Sequence, residues 1–496
     1  MRIHLSILVV VLLFISFTGI AQGGFTVKFN SPENEGGGKF IENTNHEYVG
    51  LLNKRNAELD FNELYINKIS SSGELLLQVN YSKPDSSSFY SYIIQSSADP
   101  VEYLIAGYGH PNGRATDIYD FFIMVDSSFN VIWQKLYHFI PPDFTVSFEN
   151  SQRLLKKKDS GYIFGTQYDH SGDNKFVFFE MDENGDSVAC RIYEGDSAGQ
   201  VLYDLNYNHD SSAYLIDMRG GAFKIVTLDF DFNQINSTLF PTYHHCLTSK
   251  VLPDGSLVSG GLYNGIILNP YQLIDQICII KHDTSLTLLD SNYFTNPDHE
   301  IGKREGYFNS IDYYYPNSVF VAGTYNYDVG VWIPHPSWIA LAKFDSNLNL
   351  LTEKYVGGDA YYSLWDIIAT SDGGVLLSTS RYDYQTQDHE HDLYIIKLDS
   401  LDLLVGSTEH HNKMVKNAMV YPNPARNHFY VKTAVKETMI TLYDIQGKAV
   451  LQQPLTTTGT TTRISIPSDI PEGNYLWRII RKNKTVETGK LIIIKN

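Results

Sequence analysis

Gly374-Val375-Leu376-Leu377-Ser378-Thr379 and, a longer loop later, Leu393-Tyr394-Ile395-Ile396-Lys397-Leu398-Asp399 decide the fold of this chain. Both are short apolar runs rich in β-branched and aromatic residues, and the turn Ser371-Asp372-Gly373 precedes the first. Runs of four to eight such residues bounded by Asp-Gly turns read as strands, and neither is long enough for a buried helix. Upstream, Ser363-Leu364-Trp365-Asp366-Ile367-Ile368-Ala369-Thr370 alternates as a further strand, and Leu401 to Val405 is expected to close the unit as a fourth.

The same unit recurs along the chain. Gly161-Tyr162-Ile163-Phe164-Gly165-Thr166 pairs with Phe176-Val177-Phe178-Phe179-Glu180-Met181-Asp182, and Ser318-Val319-Phe320-Val321-Ala322-Gly323-Thr324 with Trp338-Ile339-Ala340-Leu341-Ala342-Lys343-Phe344-Asp345. The closing aspartates fall at Asp126, Asp182, Asp229, Asp283, Asp345 and Asp399, and an earlier unit carries Ser70 in that place. Seven four-stranded units predict an all-β protein, a seven-bladed β-propeller over residues 22–405, since radial packing leaves only short sheet edges open. The repeat is similar to those of propellers in secreted bacterial proteins. Phe25-Thr26-Val27-Lys28-Phe29 is a candidate extra strand closing the ring.

Loop length points to the working face. Turns between strands one and two and between three and four are short, as in Pro253-Asp254-Gly255 and Asp182-Glu183-Asn184-Gly185-Asp186, whereas the other connections are longer and varied. In a propeller those long connections share one face, and binding residues concentrate on such loops. Its richest loops offer Tyr263 and Tyr271, then Tyr327, Trp332, His335 and Trp338, then Tyr384, His389 and His391. Aromatic rings with a polar tip suit stacking on sugars or anchoring a peptide, so these residues are the expected ligand-binding set for a glycan or protein partner. His389 and His391, flanked by Asp388 and Asp392, have the spacing of two imidazoles on one side of an extended segment. No third ligand stands at a telling distance, and neither a metal nor a cofactor is assigned.

Composition narrows the classes further. The 496 residues carry a formal charge of −18, divided unevenly: 13 Lys plus Arg against 5 Asp plus Glu from Asn412 onward, and 25 against 51 before it. That reversal marks a domain boundary and argues against nucleic acid as the partner of the acidic part. Cys190, Cys246 and Cys278 allow at most one internal disulfide. No nucleophile elbow, zinc-protease helix motif or phosphate loop is present, which weakens an enzymatic reading without removing it. A polysaccharide hydrolase with channel-facing carboxylates, or a structural surface protein, stands as the alternative to a binding protein.

The two ends speak to destination. Ile7 to Ile15 is an apolar run of signal-peptide length, with Gly19 and Ala21 at the small-residue positions, so residues 1–21 read as a cleaved signal peptide. No other stretch has the apolar length of a membrane-spanning helix. At the other end stand Tyr421-Pro422-Asn423-Pro424, then Leu442-Tyr443-Asp444-Ile445-Gln446-Gly447-Lys448, then Glu472-Gly473-Asn474-Tyr475-Leu476, then Lys490-Leu491-Ile492-Ile493-Ile494-Lys495. This series resembles the type A C-terminal sorting domain of the type IX secretion system. The resemblance implies export by that machinery to the cell surface or medium, recognition through Tyr421, Pro422, Asn423, Pro424, Gly447, Gly473 and Tyr475, and later removal of the domain. Alternating strands predict a small Ig-like β-sandwich over residues 419–496. Residues 406–418 read as a polar linker where the cut would fall.

Overall fold

The computed structural model describes residues 24–29, 31–56, 61–82, 86–111, 119–138, 152–170, 173–194, 201–220, 222–240, 244–269, 272–294, 303–306, 309–314, 318–328, 332–386, 390–400, 403, 419–432, 438–444, 448–455, 461–481 and 484–495. The chain forms two compact units, Met1–Glu409 and His410–Asn496. The signal-peptide segment and all of residues 406–418 lie outside the described residues. Among the described residues no helix is long and apolar enough to cross a membrane.

The first unit holds seven antiparallel sheets among its described residues. In chain order, sheet I spans residues 35–80, II 86–137, III 153–194, IV 201–239, V 244–294, VI 303–357 and VII 361–398. Sheet VII shows the local logic. Tyr361–Ala369, Val375–Tyr382 and His391–Leu398 are consecutive antiparallel strands, the middle one almost wholly buried. Strands buried on both faces carry continuous apolar runs, which is why second and third strands stand out in the sequence. Fourth strands, such as Leu75–Asn80 and Val131–Tyr137, alternate between exposed and half-buried positions.

The recurring aspartates shape the turns between third and fourth strands. Asp345 Oδ1 accepts the N–H groups of Asn347 (2.8 Å) and Asn349 (2.9 Å), and Asp126, Asp229 and Asp283 make the same pair of bonds to their own turns. An Asp side chain bonding the backbone two residues on is the mechanism of an Asx turn. Phe129, Phe232, Leu286 and Leu348, three residues after each Asp, have positive φ and are buried between sheets. Each turn thus plants an apolar anchor in the core.

Each sheet shares an apolar cluster with the next. Leu51 and Ile66 of sheet I meet Ile93 and Tyr103 of sheet II, and Phe122 of II meets Phe164 and Phe179 of III. Phe178 of III meets Ile216 and Val226 of IV, and Ile225 of IV meets Cys278 and Ile280 of V. Ile279 of V meets Val321 of VI, and Phe320 of VI meets Ile367 and Leu377 of VII. The seventh sheet then packs back on the first, with Leu376, Leu393 and Ile395 against Phe40, Tyr48 and Leu52. The arrangement is all-β and propeller-like.

Two strands differ from expectation. The fourth strand of sheet VII is Phe25–Phe29, paired antiparallel with His391–Leu398, not Leu401 to Val405. Ser400 and Leu403, the described residues around that stretch, lie in no strand, and Leu403 is buried in the cluster between sheets VI and VII. The N-terminal candidate therefore takes the edge that the C-terminal one was expected to fill. The first strand of sheet VI is broken into Lys303–Glu305 and Ile311–Tyr314, both pairing with Ser318–Tyr325, because Ser310 bonds Gly306 and Ala322 across the interruption.

Polar bonds reinforce the contact between sheets VII and I. Asp366, 1% exposed, accepts the Phe40 N–H at 2.9 Å and the Lys39 ammonium at 3.3 Å. Burial would lower the Lys39 pKa, but Asp366 holds it above its ordinary value. Glu42 accepts bonds from the Ser371 N–H (2.7 Å) and hydroxyl. Removing one member of a buried ion pair leaves an uncompensated charge and costs about 3–5 kcal/mol. Asp366→Asn is expected to lower unfolding stability by that amount in denaturant titration, and a Lys39→Met/Asp366→Leu double variant to recover most of it. A loss below about 1 kcal/mol for the single variant would contradict the buried-pair assignment.

Candidate functional site

Four expected ligand-binding residues gather where the loop after Ser318–Tyr325 meets sheet VII. Trp332 is 39% exposed, and its indole stacks on the His391 imidazole with centroids 5.0 Å apart and planes 25° apart. Tyr382 lies against both rings, at 5.2 Å from each. Tyr382 and His391 are register partners on adjacent strands, so their contact is set by the sheet itself. Tyr384 packs against the buried trio Ile333, Tyr361 and Tyr382, while His335 meets the Tyr361 ring edge at 5.8 Å.

The loop that carries Trp332 is pinned at several points. Asn326, at φ 61°, adopts the left-handed conformation that Asn tolerates better than most residues, and its amide donates to Pro336 O at 2.7 Å and lies 3.1 Å from His335 Nδ1. The Tyr361 hydroxyl donates to Asp328 O (2.9 Å) and accepts from Asp328 N–H (3.1 Å); burial pushes its pKa up to about 12. Ile333 plugs the space beneath. On the other side, His391 N–H donates to Asn34 Oδ1 at 2.9 Å and its Nδ1 lies 3.2 Å from Ser380 Oγ. Hydrogen bonds thus fix His391 and the loop on the near side of Trp332, and ring contacts seat the indole itself.

The charged rim is mainly acidic. Asp328 lies 3.6 Å from His335 Nε2. Arg381 donates to Asp359 (3.0 Å) and Asp383 (3.2 Å). Burial would raise the Asp359 carboxyl, yet Arg381 and the Tyr362 hydroxyl hold it below its ordinary value.

The remaining candidates divide. Tyr327 is partly buried beside this site, but Trp338 belongs to the frame. Its ring packs on Tyr325 at 5.5 Å and on the cluster between sheets V and VI, and Trp338 is the first residue of its strand, in register with Tyr325. That pairing sets the half-buried indole against the frame. Tyr263 lies on Leu257–Asn269 in sheet V, paired with His244 and Gln276. Tyr271 and His389 lie outside the described residues. Among the described residues no cluster of three or more His, Cys, Asp or Glu could hold a metal. Asn326, Ile333, Tyr361 and Ser380 are parts of the site that sequence reasoning missed, since nothing local distinguishes them from ordinary strand and loop residues.

Carboxylates on the first and second strands have structural work. Asp204 and Asp217 are register partners in sheet IV, 7% and 2% exposed. Asp204 accepts N–H bonds from Leu205 and from Ser249 of sheet V, both 2.9 Å, and Arg153 of sheet III approaches at 3.8 Å. Burial, then Asp204, push the Asp217 carboxyl up to about 7, and the Ser249 hydroxyl donates to it. Asp312 likewise accepts the Ala369 N–H of sheet VII at 2.8 Å.

Among its described residues the second unit has two sheets. Met419–Tyr421, His428–Lys432 and Thr461–Ser465 form one; Ala449–Leu455, Thr438–Tyr443, Gly473–Arg481 and Lys484–Ile493, in that spatial order, form the other. Phe429, Val431 and Ile464 of the first pack with Ile440, Tyr475, Trp477 and Leu491 of the second. Trp477 is a core residue here. Pro422, Asn423 and Pro424 lie outside the strands, and Asn423 Oδ1 accepts the Ile492 N–H at 2.8 Å, fastening the opening motif to the closing one. Ala425 continues the clasp by exchanging bonds with Ile492 O (2.7 Å) and Ile494 N–H (2.9 Å). Tyr421 is exposed and stacks on Tyr430, whereas Tyr475 is buried with its hydroxyl donating to Pro471 O at 2.6 Å. Gly473 opens a strand, and Gly447 lies outside the described residues.

Residues 419–495 match the family described as the secretion system C-terminal sorting domain. This segment is a type IX secretion sorting domain. The sorting domain assigns the chain to export toward the cell surface or medium through that machinery. No curated protein matches the chain in sequence. Among solved structures the chain is similar to a protein of unknown function from Bacteroides caccae, at 12% identity over 66% of this chain and 94% of that one, TM-score 0.38. It is also similar to the polysaccharide lyase Uly1, at 10% identity over 73% and 90%, TM-score 0.43, and to a variant of the NanB sialidase from Streptococcus pneumoniae, at 9% over 76% and 71%, TM-score 0.41. No activity transfers from likenesses this distant.

The framing role of Trp338 is directly testable. A Cβ on Gly358 would stand 2.1 Å from Trp338 Nε1, and Gly358 has φ +92°. Gly358→Ala is expected to cost about 1–3 kcal/mol in denaturant unfolding from backbone strain, with the clash adding to it. An unchanged midpoint would contradict the tight seating of Trp338.

Proposed function

We propose that this protein is an exported seven-bladed β-propeller that binds a glycan or protein ligand through the long-loop face around Trp332. In this reading residues 1–21 are a signal peptide, 22–405 the propeller with sheets I to VII as its blades, 406–418 a linker open to cleavage, and 419–496 an Ig-like sorting domain. The observation that carries it is the Trp332 indole, large, exposed, and packed against the His391 and Tyr382 rings, with His391 itself fixed by hydrogen bonds. Ordering an exposed aromatic side chain costs conformational entropy, and a pre-ordered ring returns that cost as affinity when a ligand stacks on it. Tyr384 and His335 extend the platform, with Tyr327 beside it. The hydrolase alternative would need carboxylates open to substrate. Asp204 and Asp217 are buried and tied to neighbouring groups, so they lend it no support.

The sorting domain supports release at, or attachment to, the cell surface, where a glycan or protein ligand would be met. Trp332→Ala combined with Tyr384→Ala is expected to reduce binding to the ligand-bearing surface or glycan array at least tenfold, while the melting temperature changes by less than about 3 °C, because the lost contacts are peripheral. Retention of binding by a folded double variant would sink the assignment of this face.

A further inference from the structure

The platform's chemistry selects among ligands, and this step rests on the binding reading above. We propose that the site around Trp332 takes an uncharged sugar ring and rejects acidic ones such as uronates, sialic acids and sulfated sugars. A pyranose presents a face of C–H groups that stacks on an indole, and hydroxyls around its rim that need acceptors. Trp332 offers the first, 39% exposed and backed by His391. Asp328 offers the second. Its side chain is 59% exposed at the mouth of the same loop, fixed by the two bonds between its backbone and Tyr361.

The charge balance decides the class. An acidic sugar needs a cation, and among the described residues the cations on the strands that bear the platform are already matched. Arg381 is held by Asp359 and Asp383, Lys28 by Asp392 at 3.0 Å, and Lys54, on sheet I, by Glu33 at 2.8 Å. His335 faces Asp328. Around these, the unit before Asn412 carries 25 basic against 51 acidic residues, so its far field also repels anions. Discrimination by like-charge placement is specificity by repulsion, obtained without tightening the favoured complex.

The experiment titrates the full chain with five hexasaccharides, three neutral (cellohexaose, laminarihexaose, mannohexaose) and two acidic (hexagalacturonate, hexamannuronate), by calorimetry at 0.15 M and 1 M NaCl. At least one neutral hexasaccharide is expected to bind at least tenfold tighter than either acidic one, with the gap narrowing at high salt as screening grows. Trp332→Ala should weaken the neutral complex at least tenfold. Asp328→Asn should raise the acidic-to-neutral affinity ratio about threefold, the effect of one charge at contact distance in water, which a merely structural role for Asp328 would not do. Acidic hexasaccharides binding as tightly as neutral ones, and losing that binding in Trp332→Ala, would overturn the selectivity and leave the platform standing. Binding to none of the five, or binding indifferent to Trp332→Ala, would overturn the sugar assignment of this site, while the protein-ligand form of the reading above is decided by the Trp332→Ala/Tyr384→Ala variant.

Discussion

The contact that returns sheet VII to sheet I is the constraint on which the rest depends. It joins residues more than 300 positions apart in the chain, and three kinds of interaction converge there. Phe25–Phe29 hydrogen-bonds along His391–Leu398, Asp366 holds Lys39 and Phe40, and Leu376, Leu393 and Ile395 pack on Phe40, Tyr48 and Leu52. The same junction aims the candidate site. His391 begins the strand that Phe25–Phe29 covers, and its N–H is bonded by Asn34, immediately before the first strand of sheet I. The platform under Trp332 is therefore only as rigid as this junction.

Carboxylates of other first strands play a part that resembles the role of Asp366 here. Asp204 reaches the Ser249 N–H and Asp312 the Ala369 N–H, each linking one sheet to the next. A carboxylate bonding a neighbouring backbone fixes relative position more sharply than apolar packing, which tolerates sliding, and its penalty if broken is high. Asp204, Asp312 and Asp366 are thus engaged in alignment.

How much was legible in the sequence follows from what each residue answers to. Second and third strands are buried on both faces, so Val375 to Thr379 and Leu393 to Leu398 announce themselves through unbroken apolar runs. The aspartates ending third strands act within their own turns, and local spacing finds them. The outer strand of sheet VII was harder, because Phe25–Phe29 and Leu401 to Val405 are equally plausible locally and only a pairing across the whole chain decides between them. Trp332 and Trp338 show the same limit within one loop: identical side chains, one exposed on His391 and one set half-buried against the frame by its register with Tyr325. Asn326, Tyr361 and Ser380 went unseen because their work is to hold other residues. The sorting domain was the reverse case, its motifs lying in one continuous segment.

Native-state hydrogen exchange of the full chain tests the central claim most directly. If the junction between sheets VII and I holds the assembly together, amides of Phe25–Phe29, His391–Leu398 and Glu35–Glu42 should exchange as one cooperative group, near the free energy of global unfolding. Fast, independent exchange of Phe25–Phe29, with Glu35–Glu42 still protected, would contradict it.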